Sequence, residues 1–243
     1  MSNIQIHIIP VLSDNYVYVL SNKTGDAAIV DPGEAQPVLD FLNTRKLQPK
    51  MILCTHHHGD HIGGIKELRD NYPQIEIIGP HQERARMPDL DQEVSDGQSV
   101  DVLGHTAQII ETPGHTKGHI CYHLKEDKTL FAGDTLFSFG CGRVFEGTME
   151  QMHNSLMRLK NLPDDTALYC GHEYTLSNLD FALSCEKGDE KALEQEIERV
   201  KSLRDQNKPS LPSVLGKEKQ LNPFLKTDTP AEFAHLRKAK DAA

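Results

Sequence analysis

Apolar and polar residues alternate from the start of the chain. Ile4, Ile6 and Ile8 stand around Gln5 and His7, and Tyr16 to Leu20 alternates again after an Asp14-Asn15 turn, which predicts two strands. AAIVDPG (27–33) reads as a buried strand stopped by Pro-Gly. Val38, Leu39 and Leu42 fall at helical spacing within 35–47, and IKELRDNY (65–72) is a second helical stretch. MILCT (51–55) and IEIIG (75–79) read as further strands, whereas 82–100 is polar, holds Pro and Gly, and shows no clear period. Strand-like runs return at 107–115, 119–124 and 129–137. Residues 149–162 form a helix with Met149, Met152, Leu156 and Leu159 on one face, and 166–174 is a strand.

Beyond that point the texture changes and no strand run appears. ALEQEIERVKSLR (192–204) puts Leu193, Ile197 and Val200 on one helix stripe with charges opposite. NKPSLPS (207–213) is a connector, and a short helix is predicted near the end. The pattern therefore predicts a β-rich α/β domain over 1–170 and an α-helical domain over 171–243.

Composition narrows the function. The chain has 243 residues, 37% of them hydrophobic, enough for one large core with an appendage. No apolar run approaches the ~20 residues of a membrane span. MSNIQIHIIPVLSDN has neither a basic start nor a continuous apolar stretch, so no signal peptide is expected. Five cysteines stand singly at 54, 121, 141, 170 and 185 with no CxxC, which reads as reduced thiols of a cytosolic protein. The formal charge of −10 argues against nucleic acid, where a basic face supplies most of the affinity. Histidine is in excess, at 13 residues.

That excess gathers after strands. MILCT-HHHGDH, IIETPG-H, LFAGD and LYCGH each place a His or Asp just past an apolar run. Strand ends in layered α/β proteins share a rim where polar residues converge. The candidates are His56, His58, Asp60, His61, His115, Asp134 and His172. Imidazole and carboxylate without thiolate suit zinc, iron or manganese. Residues two apart do not share a helix face, so the HHHGDH run is expected to be a loop. Alternate residues of an extended stretch point the same way, so His56 and His58 hold one metal while His57 points elsewhere. Seven donors suffice for two metals: His56, His58 and His115 on one, Asp60, His61 and His172 on the other, Asp134 between them. His7, His81, His105, His153 and His235 are expected to be ordinary surface or core residues, and His57, His119 and His123 neighbours of the site. The single cysteines are expected to serve packing.

These residues are recognisable. THHHGDHIGG with TPGHTKGH, FAGD and GHE resembles the metallo-β-lactamase superfamily. FAGDTLFSFGCGRVFEGT (131–148), PDDTALYCGHEYTLSN (163–178), NPFLKT (222–227) and FAHLRKAKD (233–241) resemble its hydroxyacylglutathione hydrolase (glyoxalase II) branch. The resemblance implies an αββα sandwich with a smaller α-helical C-terminal domain that helps to bind glutathione. It implies the same seven metal ligands, with Asp60 and Asp134 also serving catalysis. It further implies substrate contacts from Arg143, Phe145, Tyr174, Arg237 and Lys240. Phe145 stands where some members carry Tyr, which removes one hydroxyl donor.

The activity so implied is hydrolysis of S-D-lactoylglutathione by a hydroxide bridging two divalent ions, zinc first, with iron or manganese as alternatives. A thiol of pKa about 8.5 leaves without a general acid, which favours a thioester over an amide. The partner is a small-molecule glutathione thioester, with no nucleic acid or membrane, and a monomer is expected. Rival readings are another thioesterase or lactonase of the superfamily, an iron-dependent persulfide dioxygenase, and a non-enzymatic metal-binding module.

Overall fold

The computed structural model describes residues 4–87, 90–185 and 189–243. The chain divides into two compact units, Met1–Glu111 with Gly118–Asp127, and Thr112–Lys117 with Lys128–Ala243.

The first unit begins with strands β1 (Gln5–Val11), β2 (Asn15–Ser21) and β3 (Asp26–Val30). Helix α1 (Gln36–Arg45) leads to β4 (Gln48–Leu53), a one-turn α2 (Gly59–Ile62) and α3 (Ile65–Asn71) lead to β5 (Glu76–Pro80), and β6 (Gln92–Val94) follows. These six strands form one sheet in sequence order, antiparallel from β1 to β3 and parallel from β3 to β6. Parallel neighbours need crossovers, and the two helical connections supply them. Val38, Leu39 and Leu42 of α1 and Ile65 and Leu68 of α3 pack on Val17, Val19, Ile29, Ile52 and Ile77 of the sheet. Each such fully buried side chain contributes roughly 1.5–3 kcal/mol.

Strands β7 (Ser99–Val102), β8 (His105–Glu111) and β9 (Ile120–Leu124) form an antiparallel meander in the same unit. Every residue of β9 is buried. The Tyr122 hydroxyl crosses from β9 to donate to the Cys54 carbonyl at 2.9 Å. The patternless stretch 82–100 contains a 3₁₀ turn (His81–Arg86), β6 and the start of β7. Three- and four-residue strands are too short to show a period; Pro88 and Asp89 lie outside the described residues.

In the second unit, β10 (Thr129–Gly133) precedes the hairpin β11 (Leu136–Phe137) and β12 (Gly140–Cys141). Helix α4 (Met149–Lys160) follows, started by a Thr148–Gln151 capping box. It buries Met152, Leu156 and Leu159. Strand β13 (Ala167–Cys170) lies parallel to β10. Helices α5 (Thr175–Ser184) and α6 (Glu190–Asp205) come next, then β14 (Ser213–Val214), α7 (Leu215–Leu221) and α8 (Pro230–Ala242). Strand β14 corrects the expectation that no strand follows 174. Two residues pair with β13 at its edge, too few to leave a sequence pattern. Helices α5 and α7 also escaped the periodicity, α5 because it carries no clean apolar stripe.

The C-terminal helices grip the β11–β12 turn. Phe139 takes a left-handed φ of 56°, unfavourable for a bulky residue. Its ring is buried among Leu179, Ala182, Leu193, Ile197 and Val200 of α5 and α6. Its N–H donates to Glu218 Oε2 at 2.7 Å, and Ser138 Oγ donates to Glu218 Oε1 at 3.2 Å. Asn222 Nδ2 donates to the carbonyls of Gly140 at 3.0 Å and Phe137 at 3.3 Å.

Burial is the chief influence on Glu218 and raises its pKa above the ordinary 4.5, against the pull of its hydrogen-bond donors. The folded chain therefore binds this proton at higher pH than the unfolded chain. The group's contribution to stability is lowest at neutral pH, rises as pH falls through the folded pKa, and levels off below about 4.5. Glu218→Gln removes that slope. Urea unfolding at pH 7 and pH 5 is expected to shift the difference between the two proteins toward the parent at pH 5. An unchanged difference contradicts this account.

Candidate metal centre

Each unit holds part of the expected donor set. In the first unit the donors follow β4. Cys54 to His58 run as a loop, and Asp60 and His61 then sit on the single turn of α2. The expected loop is thus loop followed by one helical turn, started by the extended backbone of His58.

Asp31, just past β3, organises this half. Its Oδ1 accepts from Thr55 N at 2.7 Å and its Oδ2 from Thr55 Oγ1 at 2.6 Å. Oδ2 also lies 3.1 Å from His61 Nδ1. With its hydroxyl proton given to Asp31, Thr55 Oγ1 accepts from His56 Nδ1 at 3.0 Å. One carboxylate so fixes the tautomer of two imidazoles and leaves their Nε2 atoms as electron-pair donors. His56 Nε2 stands 3.1 Å from His58 Nδ1. The rings of His56 and His61 are 4.2 Å apart. Asp60 is held by Asn15 Nδ2, which donates to Oδ2 at 2.9 Å, and its Oδ2 is 3.6 Å from His61 Nε2. His57 points elsewhere, as expected, to Glu83 Oε2 at 2.7 Å.

Asp31, His56 and His61 are themselves a buried group with one donor atom each inside a 4.8 Å radius of mutual distances, able to hold a metal ion. Both Asp31 oxygens already accept from Thr55, which favours an orienting role over ligation. Asp31, Thr55 and Asn15 were not among the sequence candidates. AAIVD fits the same rule of an acid after an apolar strand, so Asp31 carried a signal; Asn15 carried none.

In the second unit, Asp134 follows β10, His172 follows β13, and His115 lies in the 112–117 segment. His115 Nδ1 donates to the Arg143 carbonyl at 2.9 Å, which turns Nε2 into the donor. Asp134 Oδ2 lies 3.4 Å from His115 Nε2 and 3.2 Å from His172 Nε2. One oxygen between two imidazoles is the arrangement a bridging carboxylate needs. Gly142 permits it: a Cβ there would come within 1.9 Å of the Asp134 carbonyl oxygen. Both halves therefore fit divalent metals, with nitrogen and oxygen donors among which the tautomers of His56, His61 and His115 are set by fixed acceptors. No thiol competes. Cys54, Cys121, Cys141 and Cys170 are buried, and burial pushes Cys141 up to about 11 and raises Cys54 and Cys170.

The five expected substrate residues all belong to the second unit. Tyr174 stacks on His172 at 4.7 Å and 3°, with the edge of Phe137 against both rings. Phe145 is 60% exposed, its ring 5.1 Å from that of His115. Arg143 is exposed, with Nε 3.6 Å from Asp241 Oδ1. Lys240 Nζ donates to the Ser177 carbonyl at 2.7 Å, and partial burial followed by the Arg237 cation lowers its pKa. Arg237 is 4% exposed. Its Nη1 donates to the Cys141 carbonyl at 2.8 Å, its Nη2 pairs with Asp241 at 3.0 Å, and it lies over the Phe224 ring. Arg237 thus ties α8 to β12 as well as carrying charge. The remaining histidines behave as ordinary residues: His7 bonds Ser21, His81 Glu93, His105 Asp127 and His153 the Thr227 carbonyl. His119 stacks on His56, while His123 lies toward the other end of β9.

Arg237→Ala leaves the buried Cys141 carbonyl without this donor and is expected to cost about 1–3 kcal/mol of stability, read as a lower urea midpoint. An unchanged midpoint would contradict the structural part of its role.

A family model described as the metallo-β-lactamase superfamily matches residues 10–172, and one described as the hydroxyacylglutathione hydrolase C-terminus matches 173–243. Among solved structures, the B3 metallo-β-lactamase BLEG-1 aligns with 92% of this chain and 100% of its own at 24% identity and a TM-score of 0.72. ETHE1 from Myxococcus xanthus aligns over 97% of this chain and 90% of its own at 26% identity and a TM-score of 0.72. TTHA1623, crystallised in a di-iron-bound form, aligns over 89% and 98% at 22% identity and a TM-score of 0.64. Among the described residues no helix is long and apolar enough to cross a membrane. A strand-end set of fixed imidazoles and carboxylates on this fold is the equipment of a metal-dependent hydrolase, and the chain belongs to the metallo-β-lactamase superfamily, with residues 173–243 matching a hydroxyacylglutathione hydrolase C-terminus.

Proposed function

We propose that the chain hydrolyses S-D-lactoylglutathione to D-lactate and glutathione, with two zinc ions as its cofactors. The observation that carries this reading is the match of residues 173–243 to the hydroxyacylglutathione hydrolase C-terminus, because the superfamily match alone admits many hydrolases. In this reading 1–170 supplies catalysis and 171–243 binds the glutathione part. His56, His58 and His115 would hold one ion and Asp60, His61 and His172 the other, with Asp134 shared between them. Bound there, divalent ions supply a water acidic enough to react near neutral pH and polarise the thioester carbonyl.

The chain's own groups do the rest. Asp60, steadied by Asn15, accepts a proton from the attacking water. Asp134 keeps His115 and His172 in register. Tyr174 and Phe145 give the thioester an apolar wall on either side of those rings. Arg143 and Lys240 pair with the substrate carboxylates, and Arg237 holds the helix that carries Lys240. Asp241 already sits against the Arg143 and Arg237 guanidiniums, which supports that position as a place for a carboxylate. The thiol leaves as thiolate with no acid required. Cysteines that stand singly, four of them buried, support a reducing compartment, the cytosol.

The direct assay follows thioester cleavage of S-D-lactoylglutathione before and after chelation, and after re-addition of zinc, iron or manganese. Activity is expected to vanish with the metal and return with it; inactivity with every metal sinks the proposal. Arg143→Ala, at an exposed position, is expected to raise KM about 5-fold with little change in kcat, since it touches only the remote part of the substrate. An unchanged KM removes Arg143 from the substrate site.

A second reading is an iron-dependent persulfide dioxygenase, which the similarity to ETHE1 fits. Oxygen uptake with glutathione persulfide, together with one iron per chain, would favour it.

A further inference from the structure

His57, between two proposed ligands, takes no part in the proposed donor set, yet both its backbone N–H and its ring are held by Glu83. Glu83, in the 3₁₀ turn His81–Arg86, is 0% exposed. A buried carboxylate is costly unless donors surround it. Glu83 Oε2 accepts from the His57 backbone N–H at 2.7 Å and faces His57 Nδ1 at 2.7 Å. Oε1 accepts from the Gly118 N–H at 3.0 Å. A Cβ on Gly118 would stand 2.5 Å from Glu83 Cγ and 2.8 Å from Gln82 Cβ, so glycine is what lets this backbone approach. Two further ties join the same segments. Ile120 N–H donates to the Thr55 carbonyl at 2.9 Å, and His119 stacks on His56 at 4.8 Å.

We propose that Glu83 is a positioning residue for the metal centre. By binding both the backbone and the ring of His57, it holds the middle of the 56–58 loop to one side. His56 and His58, on the alternate positions, are thereby directed to the other side, where their nitrogens stand 3.1 Å apart. The ordering that ligation needs is done in the folded protein, so it does not subtract from metal affinity. This inference rests on the metal centre proposed above.

The test is zinc affinity by chelator competition, with the melting temperature of the metal-free protein measured beside it. Glu83→Gln keeps the size but puts an amide N–H₂ where an acceptor is needed. Zinc affinity is expected to fall about 10-fold or more. Glu93→Gln is the control, because Glu93 pairs with His81 and Arg84 of the same turn, and its affinity is expected to match the parent. Parent-like zinc affinity in Glu83→Gln, with only the melting temperature lowered, overturns the proposal and leaves Glu83 a structural carboxylate. Should Glu83→Gln fail to fold, His57→Phe retains both backbone bonds and loses the ring bond. It is expected to weaken zinc about 3-fold, and parent affinity there overturns the proposal equally. A parent protein that binds no metal defeats the metal-centre reading instead.

Discussion

An imidazole has two nitrogens, and a metal ligand must offer one of them bare. Its other N–H has to go to something that does not move. Much of the local structure answers that constraint. Asp31 takes the proton of His61 directly and that of His56 through Thr55. The Arg143 carbonyl takes the proton of His115. The acceptors come from strand ends and tight loops, where the backbone is already fixed by the sheet ladder. Apolar strands are therefore not a passive scaffold. They are what allows a carboxylate and a carbonyl to wait, desolvated, at fixed distances.

The same constraint explains how much could be read from the sequence. His56, His58, His61, His115, Asp134 and His172 all follow apolar runs, and that juxtaposition is visible without coordinates. The alternation of β1 and β2 and the stripes of α4 and α6 are local, and local patterns survive in a linear text. Asn15 and Glu83 could not be found that way. Each meets its partner across tens of residues: Asn15 opens β2 instead of following an apolar strand, and Glu83 lies in a 3₁₀ turn with no apolar period. Helix α7 and strand β14 were hidden for another reason: at seven and two residues they are too short for an apolar period to repeat.

Arg237 shows where residue type misleads. A basic pair near a proposed substrate site reads as two equivalent cations. The packed structure separates them. Arg237 lies buried between a carbonyl, a carboxylate and an aromatic face, whereas Lys240 is partly exposed on Ser177. Charge was legible, but burial and hydrogen-bond commitment depend on the tertiary contacts of α8.

The grip of the C-terminal helices on the β11–β12 turn bears on how such chains can be recombined. Phe139 fills a space made by α5 and α6, and Glu218 and Asn222 satisfy the turn's own backbone. A graft of residues 173–243 from a relative would have to bring a matching turn with it. Otherwise a buried carboxylate loses its donors and a left-handed phenylalanine loses the contacts that offset its strain. The helical segment and the turn between Leu136 and Cys141 are in this sense one heritable part, although residues 142–172 separate them in the chain.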